Sequence, residues 1–288
     1  MKMLFRNFNA HSGRDVLVRE IYVKSILSKS GLYSIDYSIN PYLGCQHGCV
    51  YCYARFMKRF ANTDRLWGDF VFVKANAAKV LTKEIKKTPS GSSILMSSVC
   101  DPYQPLEREY KITRTILKIL SKNDFHKIYI LTKSTLIERD VDLIKRFRNI
   151  EVGFSVTYLN DRVQKIFEPN ASTPGARMET LANLSNESIV TYLFVAPILP
   201  KITDQYLEEI LTKAKEIKVA YVFFDTLNLK AGNWKSIVSA IRVYDRPLEE
   251  TYKQILFEEK HSQEYYSSFK KQAESICRHL NLNCTFTF

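Results

Sequence analysis

The sequence has no uninterrupted apolar run near the roughly 18 residues that a membrane-spanning helix needs. Residues 1–7 carry charge and lack the apolar core of a secretory signal. Low-complexity segments are absent, and so is any internal repeat beyond an alternation of strands and helices. These absences predict a soluble cytoplasmic protein with no membrane partner.

The composition also lacks the features of a disulfide-stabilised protein. Only six cysteines occur in 288 residues, and three of them lie within one short segment. A chain of this size with 45% hydrophobic and 25% charged residues is typical of one large globular domain with its own core. A reducing compartment is therefore expected, and a monomer is the predicted oligomeric state.

Acidic residues are too few to balance the basic ones. The chain carries 42 Lys and Arg against 30 Asp and Glu, a formal net charge of +12. Such an excess permits an anionic partner such as DNA, since phosphate contacts by Lys and Arg dominate nucleic-acid affinity. The densest basic groups, 83–87 and 145–148, lie on predicted helix surfaces. For each group a solvated helix face is the simpler interpretation, so nucleic acid remains a hypothesis.

Three cysteines, Cys45, Cys49 and Cys52, are spaced so that their thiols can converge on one metal centre. A structural zinc site and an ordinary four-iron cluster each use four protein ligands, whereas no fourth cysteine follows within forty residues. A four-iron cluster held by three thiols leaves one iron open. The alternatives are buried thiols, or a zinc site with His47 as fourth ligand. His47 is cramped between two of the cysteines, so we expect it to face solvent or a partner other than the metal.

The cysteine loop resembles a known family. A Cys-xxx-Cys-xx-Cys pattern with Tyr51 before its last cysteine is similar to the cluster loop of radical S-adenosylmethionine (SAM) enzymes. The flanking segments, Asn-Pro-Tyr-Leu-Gly-Cys at 40–45 and Cys-Tyr-Ala-Arg at 52–55, resemble the branch that contains spore photoproduct lyase. The resemblance implies a [4Fe-4S] cluster on the three cysteines, with SAM chelated by the fourth iron. It also implies reductive cleavage of SAM to a 5′-deoxyadenosyl radical by a reductant such as ferredoxin or flavodoxin.

Short β-branched and aromatic runs alternate with amphipathic segments, which predicts repeated βα units and a parallel sheet covered by helices. The predicted strands are 33–42, 93–98, 127–132, 151–157, 190–196 and 220–225. The predicted helices between them include 77–87, 113–122, 137–147 and 205–217.

Six βα units form an open barrel, two units short of the closed eight. The resemblance implies the same partial (β/α)6 barrel of the TIM type. We expect an N-terminal segment at 1–32, the barrel at 33–230, and a helical extension packed on it at 231–288. The last residues, 283–288, are interpreted as a final short strand or a docked tail.

The second predicted strand ends in Ser-Ser-Val-Cys-Asp-Pro-Tyr-Gln-Pro, which resembles a stretch of the lyase-like relatives with cysteine in place of threonine. The resemblance implies that Ser97, Ser98 and Cys100 contact the SAM amino group. Asp101 either contributes to function or caps the turn before a proline.

Later strand exits supply further candidates, because chemistry in a βα barrel gathers where strands end. The resemblance implies that Lys133 binds the SAM carboxylate, although an exposed lysine is the alternative. It also implies that Ser155 and Thr157 hydrogen-bond the ribose, and alternation places both on one face of their strand. Ala196 is expected to pack against adenine.

Arg177 and the preceding Glu168 match a pattern of the lyase-like branch. Arg177 is interpreted as a structural ion pair with Glu168 or Glu179, with an anchor for a carboxylate as the alternative. Cys277 and Cys284 are predicted to be separate, small buried residues and not ligands of a second cluster.

The substrate is the least determined feature. Spore photoproduct lyase repairs a thymine lesion in DNA and returns hydrogen from a cysteine thiol, but the matching position here is Ser98. Cys100 lies two positions on and, in an extended strand, points to the same side, so it is the candidate hydrogen donor. Tyr51 and Tyr53 match tyrosines that could relay a radical, although packing is the simpler role.

Three functional classes remain open on the sequence. The first is a lyase-like radical SAM enzyme acting on nucleic acid. The second is a radical SAM enzyme acting on a protein side chain or a small metabolite. The third is a non-catalytic iron–sulfur or zinc protein that binds nucleic acid, although such a protein would not require Lys133, Ser155 or Thr157.

Overall fold

The computed structural model describes residues 5–9, 15–32, 34–123, 126–230 and 232–288. The chain divides into two compact units: Met1–Gly48 with Ala54–Val152, and Cys49–Tyr53 with Gly153–Phe288. Strand β9 carries the chain from the first unit to the second. The strands are β1 (Phe5–Asn9), β2 (Asp15–Ile21), β3 (Leu27–Lys29), β4 (Tyr37–Ile39), β5 (Tyr42–Leu43), β6 (Phe70–Lys74), β7 (Ser93–Met96), β8 (Lys127–Thr132), β9 (Ile150–Ser155), β10 (Val190–Val195), β11 (Tyr221–Phe224) and β12 (Cys284–Phe286).

The α-helices are α1 (Lys58–Ala61), α2 (Ala77–Glu84), α3 (Glu107–Tyr110), α4 (Ile112–Leu120), α5 (Val141–Ile144), α6 (Asp161–Phe167), α7 (Pro174–Asn186), α8 (Leu207–Ile217), α9 (Trp234–Asp245), α10 (Leu248–Phe257) and α11 (Glu259–His279). Short 3-10 helices occur at Tyr53–Met57, Ile85–Lys87, Thr135–Asp140 and Thr203–Tyr206. In the parts of the chain that are described, no helix is both long and apolar enough to cross a membrane.

The first unit contains a mostly parallel set of strands in the order β8-β7-β4-β3. Strands β4, β7 and β8 are parallel, and β3 is antiparallel to β4. The carboxyl ends of the three parallel strands therefore meet at one edge, followed by Asn40, Ser97 and Lys133. This edge is where the predicted SAM-binding residues of the first unit lie.

A second sheet of the first unit has the order β1-β2-β6-β5. Strand β2 alternates, so that Val16 and Val18 are buried while Leu17 and Arg19 lie on the other face. Strand β6 is a continuous apolar run, Phe-Val-Phe-Val, and is buried over its first four residues. Neither segment is among the strands predicted from the sequence, although the run in β6 is a clear apolar signal.

The second unit has strands in the order β12-β11-β10-β9 together with α6–α11. Strands β10, β11 and β12 are parallel, so their carboxyl ends also meet at one edge. Residues 284–286 add to β11 as a strand, which decides between the two interpretations of the last segment. The helical pattern predicted after Asp225 is present as α9, α10 and α11.

The predicted and observed strands agree in order and differ at their ends. The first predicted strand is divided into β4 and β5 around Asn40 and Pro41, and its first residue, Tyr33, lies outside the described residues. The strand predicted at 93–98 ends at Met96, and the one predicted at 151–157 ends at Ser155. Thr157 therefore lies in the bend that follows β9 and not within the strand.

Candidate functional site

The first half of the cysteine loop is fixed within the first unit. Gly44 has φ +94°, and a Cβ at this position would lie 2.9 Å from a ring carbon of the buried Phe70 and closer still to its carbonyl oxygen. Only glycine fits this turn, because other residues rarely adopt such a φ and here would clash. Cys45 follows it and is buried.

Two buried glutamines hold this half of the loop. The Gln46 backbone N–H donates to Gln104 Oε1 at 2.9 Å, and Gln104 Nε2 donates to the Gly44 carbonyl at 3.3 Å. The Leu106 N–H donates to Gln46 Oε1 at 2.6 Å. The segment after β7 therefore satisfies the polar groups on both sides of Cys45, as buried polar groups require.

The second half of the loop is fixed within the second unit. The Val50 N–H donates to the Phe167 carbonyl at 2.9 Å, and Asn233 Nδ2 donates to the Tyr51 carbonyl at 2.8 Å. The Tyr51 hydroxyl donates to Glu168. Burial, together with the charge of Glu168, raises the pKa of Tyr51 well above its usual value, so the hydroxyl stays protonated as a donor. Cys49 is buried in the same apolar cluster.

Tyr51 and Tyr53 have different environments. Tyr51 is buried, whereas Tyr53 is 40% exposed at the start of a 3-10 helix. The packing role considered for both tyrosines is therefore observed for Tyr51 within the second unit. Cys52, between them, is half-buried.

His47 is buried beside Asp101, with its Nδ1 3.4 Å from Asp101 Oδ2. Asp101 also accepts hydrogen bonds from the Tyr103 N–H, the Thr132 hydroxyl and the Lys133 N–H at 2.7–2.8 Å. Burial alone would raise the pKa of Asp101, but the interaction with His47 and the hydrogen bonds from Thr132 and Lys133 lower it to about 2. Asp101 thus both caps its turn and orients His47, which faces this carboxylate as its partner.

The segment after β7 is a bend and not an extended strand. Ser97 has φ +68°, and residues 98–100 turn away from the strand direction. Asn40 organises this bend, because its Oδ1 accepts from the Ser98 and Val99 N–H groups at 2.9 Å. The expectation that Ser98 and Cys100 lie in an extended strand is therefore wrong, since the left-handed residue ends the strand. Both side chains nevertheless contact the Asn40 amide, Ser98 Oγ at 3.2 Å and Cys100 Sγ at 3.9 Å.

Cys100 lies half-buried in this bend, with its Sγ 3.3 Å from the Ser97 hydroxyl. Burial raises the pKa of the Cys100 thiol to about 11, although hydrogen bonds and the nearby Lys74 oppose the shift. The thiol is therefore protonated at neutral pH. A hydrogen-atom donor must carry its S–H hydrogen, so this protonation state suits the predicted role.

The raised pKa makes a testable prediction. At pH 8 a thiol with a pKa of about 11 is ionised to only about 0.1%, against roughly a quarter for a thiol of ordinary pKa near 8.5. We expect iodoacetamide to label Cys100 slowly at pH 8 and about tenfold faster for each pH unit up to about pH 11. Labelling is measured by peptide mass spectrometry, with unfolded protein as the reference. Equal rates for folded and unfolded protein at pH 8 would contradict the burial argument.

Lys133 follows β8 and is half-buried, with its backbone N–H bound to Asp101. The alternative of a fully exposed lysine is therefore not what the structure has. Its backbone position is fixed by the same carboxylate that orients His47. Thus Ser97, Ser98, Cys100 and Lys133 all lie at the strand exits of the first unit.

In the second unit the predicted ribose and adenine positions lie at the exits of β9 and β10. The Ser155 hydroxyl donates to the Ala196 carbonyl at 2.7 Å, which joins the two strand ends. Thr157 is 2% exposed, and its buried hydroxyl has no hydrogen-bond partner within the described residues. A buried hydroxyl without a partner is costly, so Thr157 fits a position that a polar ligand completes.

Arg177 and Glu168 form a buried ion pair, each about 1% exposed. Arg177 also donates to the Ser155 carbonyl at 2.9 Å and the Ser172 carbonyl at 2.8 Å. Burial lowers the pKa of the guanidinium, but the charge of Glu168 raises the pKa by more than burial lowers it. Arg177 therefore stays ionised. Because Glu168 also accepts from Tyr51, the structural ion pair links the cysteine loop to the end of β9.

Cys277 and Cys284 are neighbours, although they are predicted to be separate. Burial, together with the neighbouring Cys284, raises the pKa of Cys277 to about 12. The Leu282 N–H donates to the Cys277 carbonyl at 2.8 Å, which turns the chain from α11 back toward β12. Cys277 is buried as predicted, whereas Cys284 is half-buried.

Several residues that position the site are not among those predicted from the sequence. Asn40 and Gln104 lie within motifs given above. Each is a polar residue among apolar neighbours, and this was the only sequence signal for a positioning role. Glu107 is fully buried and accepts from the Tyr42 hydroxyl and from Arg139. Asn233 has no local signal, because it lies 182 residues from the tyrosine whose carbonyl it binds.

The donor set of the loop decides which metal group it suits. All six cysteines lie in described parts of the chain, and each is a thiol with no disulfide bond. No group of three or more His, Cys, Asp and Glu side chains in the described ranges is already arranged to hold a metal ion, so the assignment rests on donor chemistry. Three thiols without a fourth protein ligand suit an iron–sulfur cluster with one open iron better than a closed zinc site.

These features define an α/β protein with a mostly parallel sheet and a loop suited to an iron–sulfur cluster. The family model described as the radical SAM superfamily matches residues 39–214, more than half of the chain, so the chain belongs to the radical SAM superfamily. It is accordingly an enzyme whose cofactors are a [4Fe-4S] cluster and SAM.

Known proteins similar to this chain share parts of its sequence or its fold. An uncharacterised protein of Methanocaldococcus jannaschii is 38% identical over 214 residues, covering 74% of this chain and 78% of that protein. A radical SAM Nalpha-GlyT isomerase of Pseudomonas phage M6 is 25% identical over 56% of this chain and 33% of the isomerase. A spore photoproduct lyase variant with bound AdoMet and dinucleoside spore photoproduct has a TM-score of 0.68 at 14% identity, covering 94% of this chain and 82% of that chain. The last similarity confirms the fold, including its likeness to a partial TIM-type barrel.

Proposed function

We propose that this radical SAM enzyme acts on nucleic acid, in the manner of the spore photoproduct lyase branch. The observation that carries the proposal is the bend at Ser97–Cys100, where a protonated thiol lies at the strand edge that also presents Lys133. The bound dinucleoside of the similar lyase structure and the net charge of +12 support a nucleic-acid substrate. We further propose that the enzyme works as a cytoplasmic monomer, reduced by ferredoxin or flavodoxin.

The bound cluster and SAM supply one kind of chemistry, a 5′-deoxyadenosyl radical that abstracts hydrogen from the substrate. In the proposal Cys45, Cys49 and Cys52 hold the cluster. Ser97, Ser98 and Lys133 bind the amino and carboxylate ends of SAM. Thr157 offers its unsatisfied hydroxyl to the ribose, while Ser155 fixes the Ala196 backbone against which adenine packs.

Cys100 has a separate role in the proposal. Its thiol keeps its proton at neutral pH and can return a hydrogen atom to a substrate radical. The S–H bond then breaks homolytically and leaves a thiyl radical on Cys100, which one electron from the ferredoxin or flavodoxin and one proton from solvent would convert back to the thiol. Ser98 stands at the position that matches the hydrogen-donating cysteine of the lyase. In this chain the proposed hydrogen donor, Cys100, follows two residues later, within the bend. Tyr51 is held by Glu168 and positions the second half of the loop.

The test is the formation of 5′-deoxyadenosine by anaerobically reconstituted, dithionite-reduced protein, with and without single-stranded and duplex DNA. We expect product from the intact protein and an increase when nucleic acid is present. Cys49→Ala is expected to abolish product because the cluster loses one of its three thiols. Cys284→Ala is the matched control, since that thiol lies outside the loop, and it should retain full activity.

Two results would contradict parts of the proposal. Equal 5′-deoxyadenosine formation with and without nucleic acid, but stimulation by peptides or small metabolites, would favour the second substrate class. No product from protein with a full four-iron cluster, under any of these conditions, would contradict the assigned site residues.

A further inference from the structure

A basic groove of about 1000 Å³ lies on the surface of the first unit. It is lined by the outward face of β2 and by the segment that follows the cysteine loop, residues 55–65. None of the residues assigned to the cluster or to SAM lines it. The groove is therefore a feature separate from the site described above.

The local structure explains why cations line this groove. Val16 and Val18 point into the core of the second sheet, so alternation turns Arg19 outward. Arg19 is held over the ring of Phe72, its partner on β6, at 5.3 Å. Helix α1 ends at Ala61, the next residue, Asn62, has φ +43°, and residues 63–65 after it also line the groove.

The charge of the groove is strongly one-sided. Its lining includes five cationic side chains, Arg19, Arg55, Lys58, Arg59 and Arg65, against one carboxylate, that of Asp64. Lys58 Nζ donates to the backbone carbonyl of Asp64 at 2.9 Å. A carbonyl carries no formal charge, so this bond does not neutralise the lysine. Arg65 pairs with Asp15 at 3.2 Å, but both are more than 40% exposed, and an exposed pair of this kind is weak.

Exposed apolar groups accompany these cations. Phe60 is 59% exposed, and Leu66 is 71% exposed. The Arg59 guanidinium lies over the Phe60 ring at 4.6 Å and over the Phe56 ring at 5.5 Å. A single exposed apolar residue is ordinary, but an aromatic ring beside a cationic groove is the combination that binds single strands, since phosphates meet cations while bases stack on rings.

We propose that this groove binds the phosphodiester backbone of single-stranded nucleic acid, with Phe60 as a surface for base stacking. The inference rests on the proposed function, in which the enzyme acts on nucleic acid, and adds where that partner is held. The groove is shallow and open, and long cationic side chains line it beside the exposed Phe60 ring, which suits an extended polyanion whose bases can stack.

The test compares two double variants of the holoprotein. Lys58→Gln/Arg59→Gln removes two cations from the groove, and Lys83→Gln/Lys86→Gln removes two exposed cations of the same unit outside it. Binding of a labelled oligothymidylate of about 12 nucleotides is followed by fluorescence anisotropy across a salt series. We expect the groove variant to bind about tenfold more weakly near 0.1 M salt and to lower the salt slope by about 1.4, against about twofold or less for the control.

Phe60→Ala tests the stacking surface separately. It removes no charge, so we expect at least about fivefold weaker binding with an unchanged salt slope. Equal losses in the groove variant and the control would mean diffuse charge and would overturn the proposal. Wild-type affinity in the groove variant would also overturn it.

A second measurement separates this inference from the proposed function. Dithionite-driven 5′-deoxyadenosine formation without nucleic acid reports on the cofactors alone, and we expect it to be the same in both double variants. If wild-type protein forms no product, the proposed function fails while the binding comparison still decides the groove. The groove variant could instead bind DNA normally and show a slower reaction with flavodoxin but not with dithionite. In that case the surface docks an acidic redox protein and the proposal is wrong.

Discussion

Replacing Arg177 with methionine is expected to lower the free energy of unfolding by about 3–5 kcal/mol. The guanidinium is the cation that faces Glu168 in a site where both side chains are about 1% exposed. Removing it leaves a carboxylate buried without its partner charge, and the Ser155 and Ser172 carbonyls lose their donors. A methionine of similar length fills the volume but supplies none of these interactions.

The measurement is equilibrium unfolding in urea, arranged as a double-mutant cycle with Glu168→Gln. The Glu168→Gln/Arg177→Met double variant removes both charges while keeping an oxygen acceptor for the Tyr51 hydroxyl. We therefore expect its loss to be smaller than the sum of the single losses, by about 0.5–3 kcal/mol. Additive losses would show that the pair is not coupled. Arg242→Met, which breaks an exposed ion pair with Glu249, is the matched control and should shift the unfolding midpoint far less.

Replacing Gly44 with alanine is expected to abolish most cluster loading. The added Cβ would clash with the backbone carbonyl oxygen and with the ring of Phe70. Phe70 is fully buried, so neither group can move away without disturbing the core. The φ of +94° adds a strain of about 1–3 kcal/mol for a residue with a Cβ. Because Cys45 follows directly, relief of the clash displaces a predicted cluster ligand.

Iron and sulfide content after anaerobic reconstitution, with 5′-deoxyadenosine formation, measures this effect. Gly175→Ala is the matched control, since a Cβ there meets nothing within 4 Å in the first turn of α7. We expect this control to load its cluster normally and to be as stable as the wild type or slightly more so. Full loading of Gly44→Ala would mean that the turn tolerates a side chain and that the geometric argument is wrong.

The strands were largely predictable because their signal is local. The runs at 127–132 and 220–225 are apolar and β-branched, and they become β8 and β11 with ends that agree within one residue. The run at 70–74 has the same apolar character and becomes β6, although it is not among the predicted strands. The bend at Ser97 was also missed, since a left-handed serine has no distinctive composition.

The site was predictable only in part. The resemblance named the cysteines and the strand-exit residues, and their roles stay predictions. It did not indicate that Asp101 would hold His47, or that Glu168 would join Arg177 to Tyr51. The second arrangement depends on a contact across 117 positions, and no local pattern records such a distance.

The sequence by itself determined the three-thiol loop, the order of the βα units and the family, because these depend on residue types at short spacings. Only the tertiary structure decided which buried polar groups satisfy one another, such as Gln46 with Gln104, and which cations share a groove. Burial makes an unpaired polar group costly, so the partner is chosen by whichever distant segment the fold brings near. The basic groove is the same kind of result, since β2 and residues 55–65 form one surface only after the chain has folded.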